Sequence, residues 1–273
     1  MTIVPPIRLL VSDIDGTLVR NDKTLAPATI DAFARLHAAS VQATLISARP
    51  PSGMLALARL LDIQGPLGAF NGGTILRGDG AIESARRLDP PAARETLALL
   101  DRAGVDIWLF AHGLWYARTT EGVRIPHERL AADIEPTLVS AFDDIGQVDK
   151  IVGISEDFAA LEHLEEVVKQ AIGSAAAITR SQPYFLDVTA PAANKGDGVA
   201  AIALAAGVPL PQVAVIGDMP NDLPMFARAG LSIAMGQAPE AVRTAADVVT
   251  ASNEQDGVAA AIDRILLRAE LSA

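Results

Sequence analysis

The sequence predicts an α/β protein: a doubly wound, parallel-sheet domain interrupted by a second, α+β domain. Three observations carry that expectation. Short apolar runs recur and end in polar residues at their C-terminal edges, helical patterns lie between them, and the middle of the chain changes to a hairpin-rich pattern that holds both Trp and both Tyr residues. Unalternated runs of Val, Ile and Leu suit strands buried on both faces of a parallel sheet. Alternation of such strands with helices suits the doubly wound arrangement.

The strong strand runs are Ile7 to Ser12, Val41 to Ile46 and Val213 to Ile216, with weaker ones at Leu67 to Phe70 and Leu231 to Met235. Between them, Pro27 to Ala39 places apolar residues at near-helical spacing, and the Ala-rich stretch Gly196 to Ala206 stops at Gly207, a C-terminal helix stop. In the middle, Pro90 to Ala103 reads as a helix ended by Gly104. A hairpin follows, Val105 to Ala111 and Leu114 to Thr119 about a His112-Gly113 turn. Val148 to Ile154 reads as a strand, and Asp157 caps an amphipathic helix to Ile172. Ala175 to Thr179 and Tyr184 to Val188 flank an Arg-Ser-Gln-Pro turn, and His127 to Ser140 has no clear pattern. The expected division is a discontinuous core of residues 1–82 and 190–273 with an inserted domain at 83–189, joined through linkers near Gly80 to Asp89 and Thr189 to Ala193.

Composition narrows the function. Half of the 273 residues are hydrophobic, enough for a buried core. The 33 acidic against 22 basic residues give a net charge of −11, which repels phosphate backbones and anionic lipid, so neither nucleic acid nor membrane is an expected partner. With no Cys there is no thiolate metal site or Cys nucleophile. The opening segment lacks a basic region before an apolar stretch, and the longest apolar run, Val199 to Val208, is about half the ~20 residues that span a bilayer. A cytoplasmic protein is expected.

Chemistry concentrates at the strand ends. Asp13-Ile14-Asp15-Gly16-Thr17 follows the first strand, and Gly217-Asp218-Met219-Pro220-Asn221-Asp222 leaves the last strong one. In open α/β sheets the crevice beyond the C-terminal strand edge is where ligands bind. If the two strands are neighbours, Asp13, Asp15, Asp218 and Asp222 converge there. Charges ~4 Å apart at an effective dielectric near 20 repel by about 4 kcal/mol per pair. Such a cluster calls for a proton, a basic neighbour or a cation, and an all-oxygen donor set facing a phosphate points to Mg²⁺ rather than zinc. Ser47 ends the second strand with a hydroxyl. Lys195 opens the Ala-rich helix, whose N-terminus adds its own positive end. Each motif alone reads as a turn or a helix entry; their order along the chain is what makes them specific.

Asp13-Ile-Asp15-Gly-Thr17, Ser47-Ala-Arg49, Asn194-Lys195-Gly196 and Gly217-Asp218-x-x-Asn221-Asp222 together resemble the four motifs of the haloacid dehalogenase-like phosphatases. The inserted block and Asn71-Gly72-Gly73 make the chain most similar to the Cof-type branch with a large cap. The resemblance implies a Rossmann-like core with an inserted α+β cap, and Mg²⁺-dependent hydrolysis of small phosphate monoesters, sugar phosphates above all, through an aspartyl-phosphate. It implies Asp13 as nucleophile and Asp15 as general acid/base. Ser47 and Lys195 fall to the phosphate with Asn221 near it, Asn71 and Asn194 approach the substrate or phosphate side, and Arg49 and Gly72 belong to the same substrate- or phosphate-binding set. Asp13, the Asp15 carbonyl and Asp218 would ligate Mg²⁺, supported by Asp222. The second motif carries Ser-Ala-Arg where many relatives have Thr-Gly-Arg, which keeps the hydroxyl.

Two rivals share this chemistry. A receiver-type switch also uses a phospho-accepting Asp, but Asp15 and an insertion of about a hundred residues speak against it. A phosphomutase shares the nucleophile and acid/base, but the strand-rich insertion differs from its usual smaller helical cap. The four His residues form no metal set: His37 and His163 belong to helical patterns, His112 to a turn, and His127 is not assigned to the cleft. Trp108, Trp115 and Tyr116 are expected in the core of the inserted domain rather than stacked on a sugar, and Arg180 and Asp187 are candidates to reach the leaving group. The expected partner is a small phosphorylated metabolite, bound by a monomer or small homo-oligomer.

Overall fold

The computed structural model describes residues 6–142 and 145–270. Met1 to Pro5, the start of the segment read above for a leader, lies outside them. The chain begins with β1 (Leu9–Ser12), α1 (Pro27–Ala38), β2 (Gln42–Leu45), α2 (Ser52–Leu60), β3 (Leu67–Ala69), β4 (Thr74–Leu76) and β5 (Ile82–Ala85). It continues with α3 (Pro90–Ala103), β6 (Asp106–Ala111), β7 (Leu114–Ala117), α4 (Ile125–Ala132), β8 (Pro136–Leu138), β9 (Lys150–Ile154), α5 (Phe158–Ile172), β10 (Ala177–Gln182) and β11 (Phe185–Thr189). It closes with α6 (Lys195–Ala205), β12 (Val213–Gly217), α7 (Leu223–Phe226), β13 (Leu231–Ala234), α8 (Glu240–Ala245), β14 (Val248–Val249) and α9 (Gly257–Glu270).

One sheet has the order β14-β13-β12-β1-β2 and is parallel throughout. Its strands carry apolar side chains on both faces. Leu10, Leu45 and Ile216 pack with Phe33 and Leu36 of α1 and Ile262 of α9, while Leu9, Val11 and Val215 pack with Val199 and Ile202 of α6 and Met225 of α7. The run at Leu67 to Phe70, expected as another strand of this sheet, instead starts the antiparallel β3-β4-β5 sheet and joins the end of β2 through a parallel bridge from Gly68 to Ile46. Because β5 pairs with β4, residues 82–85 lie with this sheet, past the boundary expected at 83.

The other sheet, β10-β11-β9-β6-β7-β8, is built from the inserted block. Its period-two alternation gives it two different faces. Ile107, Leu109, Ile151 and Leu186 face α3 and α5, while Trp108, Phe110, Val152 and Phe185 face the opposite way, where Phe70 meets Phe110 with ring centroids 5.8 Å apart. Trp108 and Trp115 are buried, 3% and 0% exposed, as core residues. The His112-Gly113 turn has the positive φ angles, 55° and 76°, of a tight hairpin, and the Asp157 side chain caps α5 by accepting from Ala160 N. The turn expected over Arg180 to Pro183 is displaced: β10 runs to Gln182, which pairs with Phe185, so Ser181 and Gln182 are strand residues. The unassigned stretch after His127 belongs to α4 and β8. Among the described residues, no helix is long and apolar enough to cross a membrane.

Candidate active site

The chain passes from β1 to β2 on one side and later returns to β12 on the other, so the order switches between β1 and β12. Register sets Ser12 beside Ile216, and Asp13 N donates to Ile216 O at 2.9 Å. Asp13 and Asp218 therefore leave adjacent strand ends at a topological switch point, where α/β sheets hold ligands. One carboxylate oxygen from each of Asp13, Asp218 and Asp222 falls within a 4.8 Å group. Gly16 allows this convergence. Its φ of +79° suits glycine, and a Cβ there would collide with the Asp218 carboxylate.

Lys195, 1% exposed, lies 2.5 Å from both Asp13 Oδ1 and Asp222 Oδ1. The second Asp222 oxygen accepts from the backbone N–H groups of Asp218 and Met219, both at 2.8 Å. Asp222 is thus fully engaged in holding Lys195 and the loop. Asp218 Oδ1 accepts from Thr17 Oγ1 at 2.8 Å, leaving its other oxygen, and Asp13 Oδ2, without a donor among the described residues. Burial, only partly offset by Lys195, pushes Asp13 up to about 7, with repulsion from Asp222 adding to it. Burial likewise raises Asp218 well above the usual range, helped by Asp13 and Asp222. For Lys195 burial alone would disfavour the charge, but Asp13 and Asp222 outweigh it and hold the ammonium.

Asp15 behaves in the opposite way. Burial would raise it, but Arg49 binds it with two nitrogens, Nε at 2.7 Å and Nη2 at 2.8 Å, and Lys23 Nζ lies at 2.6 Å. These cations hold the carboxyl well below the usual range. Two carboxylates two residues apart thus have opposed proton affinities, the separation expected of groups with different chemical tasks.

Asp13, Asp15, Ser47, Arg49, Lys195 and Asn221 line one cleft with about 510 Å³ of free space, counting its mouth. Asn71 sits behind, accepting from Asn221 Nδ2 at 3.3 Å. The other two residues expected on the substrate or phosphate side, Gly72 and Asn194, have structural work in the loops behind the cleft. Gly72, with φ +87°, packs so tightly on Gly198 that a Cβ would overlap its Cα. Asn194 caps α6, accepting from Asp197 N at 2.9 Å and donating to Asp197 Oδ2 at 2.8 Å. Arg180 pairs with Glu165 at 2.9 Å and Glu162 at 3.1 Å and lines an adjoining hollow that shares Met219 and Asn221 with this cleft. Asp187 is fully buried, 2.9 Å from Lys150.

The inserted domain closes the opposite wall. His127, Glu128, Lys150, Ser181, Gln182 and Phe185 reach the cleft, so His127, left unassigned above, belongs to it. None of the other five was singled out by sequence. A usable signal existed for Lys150: the alternation in Lys150-Ile-Val-Gly-Ile154 puts a Lys on the face shared with Val152 and Ile154. Lys150 Nζ donates to Ala48 O at 3.2 Å and Ser52 Oγ to Ala132 O at 2.5 Å, tying the two walls together.

A strand-end carboxylate cluster on a doubly wound sheet, roofed by an inserted α+β domain, defines a class of hydrolase core. The chain belongs to the haloacid dehalogenase-like hydrolases, matching that family over residues 10–262. It is 31% identical over 257 residues to a protein of Haemophilus influenzae, covering 92% of this chain and 95% of that one. It is 25% identical over 268 residues to the pyridoxal phosphate phosphatase YbhA of Escherichia coli, covering 92% and 96%. Among solved structures, a sugar phosphatase of subclass IIB superposes with a TM-score of 0.83 at 26% identity, covering 95% of this chain and 99% of its own.

Proposed function

We propose that this hydrolase is a Mg²⁺-dependent phosphatase that cleaves small phosphate monoesters, sugar phosphates among them, through an aspartyl-phosphate on Asp13. The observation that carries this reading is the buried Asp13–Lys195–Asp222 array beside Asp218, with Asp15 two residues on and held apart by Arg49. Relatives named as phosphatases of pyridoxal phosphate and of sugars support the reaction class.

The donor set fits a divalent cation. Among the described residues Asp13 and Asp218 each keep an oxygen without a donor, and burial first, then mutual repulsion within the acidic group, raises their proton affinity beyond what Lys195 offsets. Those two oxygens and the Asp15 carbonyl would hold Mg²⁺, which when bound supplies charge neutralisation for the phosphoryl oxygens.

The remaining work belongs to the chain. Asp13 attacks phosphorus in line, forming the aspartyl bond as the ester oxygen departs. Ser47 and Lys195 bind the phosphoryl oxygens, with Asn221 beside them, and Asp222 keeps Lys195 in place. Asp15 gives a proton to the departing oxygen and then takes one from the water that attacks the aspartyl-phosphate. Arg49 is the positioning residue for Asp15. With the cleft empty of phosphate, Arg49 and Lys23 keep Asp15 ionised; an arriving dianion competes for those cations and raises the proton affinity of Asp15. The inserted domain, which follows β5 and runs to the end of β11 at Thr189, acts as a cap that excludes bulk water and contacts the leaving group.

Release of inorganic phosphate from p-nitrophenyl phosphate tests this reading. Turnover should vanish in EDTA and return with Mg²⁺ but not Ca²⁺, whose looser coordination misplaces the nucleophile. Full activity in metal-free buffer would refute the metal site, and no release under any metal would refute the phosphatase.

A further inference from the structure

Resting on the phosphatase reading above, we propose that Asn253 and Gln237 are positioning residues for proton transfer: they clamp the loop that carries Asp15, so that the acid/base stays in place when substrate draws its cations away.

The loop leaves β1 after Asp13 and turns twice. In the first turn the N–H groups of Thr17 and Val19 both donate to Ile14 O, at 3.3 and 3.1 Å, and a backbone bridge pairs Asp15 with Val19. In the second, Arg20 N donates to Thr24 O at 2.9 Å, and Lys23, at a positive φ of 66°, presents its ammonium to Asp15. A non-glycine residue in that region is strained and persists where the surroundings fix it.

The fixing groups come from the loops that follow β13 and β14. Asn253 is buried, 6% exposed, and both N–H bonds of its carboxamide serve the Asp15 loop: Nδ2 donates to Val19 O and to Asn21 Oδ1, each at 3.1 Å. Gln237 bridges the remaining gap, since its Nε2 donates to Gly16 O at 2.6 Å and its Oε1 accepts from Asn253 N at 3.2 Å. The residue after Asp15 and the residue bridged to it are thus both gripped from outside the loop. The clamp has a firm base, because Thr250 Oγ1 donates to Gly257 O at 2.7 Å and Gly236 N to Ala251 O at 3.0 Å.

Asp13 needs no such clamp, because its own N–H is bonded to Ile216 of the neighbouring strand. Asp15 differs. Arg49 and Lys23 hold its carboxyl before phosphate arrives, and the arriving dianion competes for both. From then on the backbone sets where the carboxyl stands. Proton transfer works over about 2.6–3.2 Å between heavy atoms, and a displacement of about 1 Å can lower a rate on the order of 100-fold. Loosening the clamp therefore spares the attack by Asp13 and harms the proton transfers of Asp15.

The test compares wild type, Asn253→Ala and Gln237→Ala on p-nitrophenyl phosphate and phenyl phosphate, one ring with leaving oxygens of different basicity. Transfer to Asp13 breaks the ester P–O bond; phenolate takes the Asp15 proton as it departs, whereas p-nitrophenolate leaves without one. Asn253→Ala should lose about 10-fold more kcat/KM on phenyl than on p-nitrophenyl phosphate. Gln237→Ala should shift the same ratio by less. Rapid mixing of Asn253→Ala with p-nitrophenyl phosphate should give a larger p-nitrophenol burst relative to the steady rate, because the water that hydrolyses the aspartyl-phosphate needs Asp15 as its base. A fold loosened without displacement of Asp15 would lower both esters equally and add no burst, and that result would overturn the clamp. If circular dichroism finds Asn253→Ala unfolded, Gln237→Ala, at an exposed position, decides the question. Phosphate release from p-nitrophenyl phosphate by wild type separates the two levels: if it is present and the variants lose equally on both esters only the clamp fails, and if it is absent the phosphatase fails as well.

Discussion

The core wall and the cap wall of the cleft hold their charge by different means. On the core side, Asp13 and Asp222 share the ammonium of Lys195, and Asp218 stands beside them with Thr17 as its donor. On the cap side Lys150 is matched by Asp187, and Glu128 is left over. The first pattern suits a site completed by a cation and a phosphate, groups common to every substrate of one reaction. The second suits a site completed by the part of the substrate that varies. Changes on the core wall should therefore scale all substrates together, and changes on the cap wall should alter their ratios.

The sharpest way to break that division is Asp13→Asn. Loss of the proposed nucleophile should lower kcat about 10⁴-fold or more for every ester, with the fold kept by circular dichroism and no phosphate retained on the protein in rapid-quench labelling. A variant that still turned over, or whose loss differed widely among esters, would contradict a substrate-independent core wall.

Arg49 tests the boundary between the walls, since it extends from the core to hold Asp15 and donates to Gly53 O at 3.1 Å. Arg49→Met removes the largest influence that keeps Asp15 ionised, leaving burial to raise its proton affinity. The basic limb of the kcat/KM profile, where Asp15 must still carry the proton it gives to the leaving oxygen, should move to higher pH, while the loss of positioning lowers kcat/KM about 10- to 100-fold near neutrality. An unmoved basic limb would mean that Asp15 is not the group that protonates the leaving oxygen.

The same contrast explains what was legible in the sequence. Asp13, Asp15, Ser47 and Asp218 follow the ends of strands that announce themselves as unalternated apolar runs, and Lys195 opens an Ala-rich helix with a clear stop at Gly207, so chain order, strand ends and one helix start sufficed to bring them together. The main sheet and the cap hairpin followed from the same patterns. Asn194 was misjudged because a polar residue before a helix serves equally as a cap, and local hydrogen bonds to Asp197 decide it. Glu128 was invisible because α4 has a weak apolar stripe and its cleft face exists only once α2 packs against it through Ser52 and Gly53. Lys150 and Asp187 become neighbours only through the pairing of β9 with β11. The short strands β8 and β14 have too few residues to show alternation.

The smallest expected effect is on stability, and it sharpens the comparison by separating the two walls. Burial pushes Glu128 from an ordinary 4.5 up to about 7, with Lys150 offsetting only part of it. A carboxyl whose folded value lies above its unfolded one favours the folded state while protonated, and that contribution is lost as pH rises through the folded value. Between about pH 4.5 and 7 the wild type should therefore lose stability, on the order of 2–3 kcal/mol, through this one group. Glu128→Gln does not titrate, so its Tm advantage over wild type, measured calorimetrically, should grow from pH 5 to pH 8. Asp13, also raised to about 7, acts in the same direction from the core wall, but there Mg²⁺ bound as proposed would compete with its proton. Saturating Mg²⁺ should thus flatten the Asp13 share of the pH dependence and leave the difference between wild type and Glu128→Gln in place. A Tm difference that stayed constant with pH, or that vanished with Mg²⁺, would mean that the Glu128 charge belongs to the metal-binding cluster rather than to an independent cap wall.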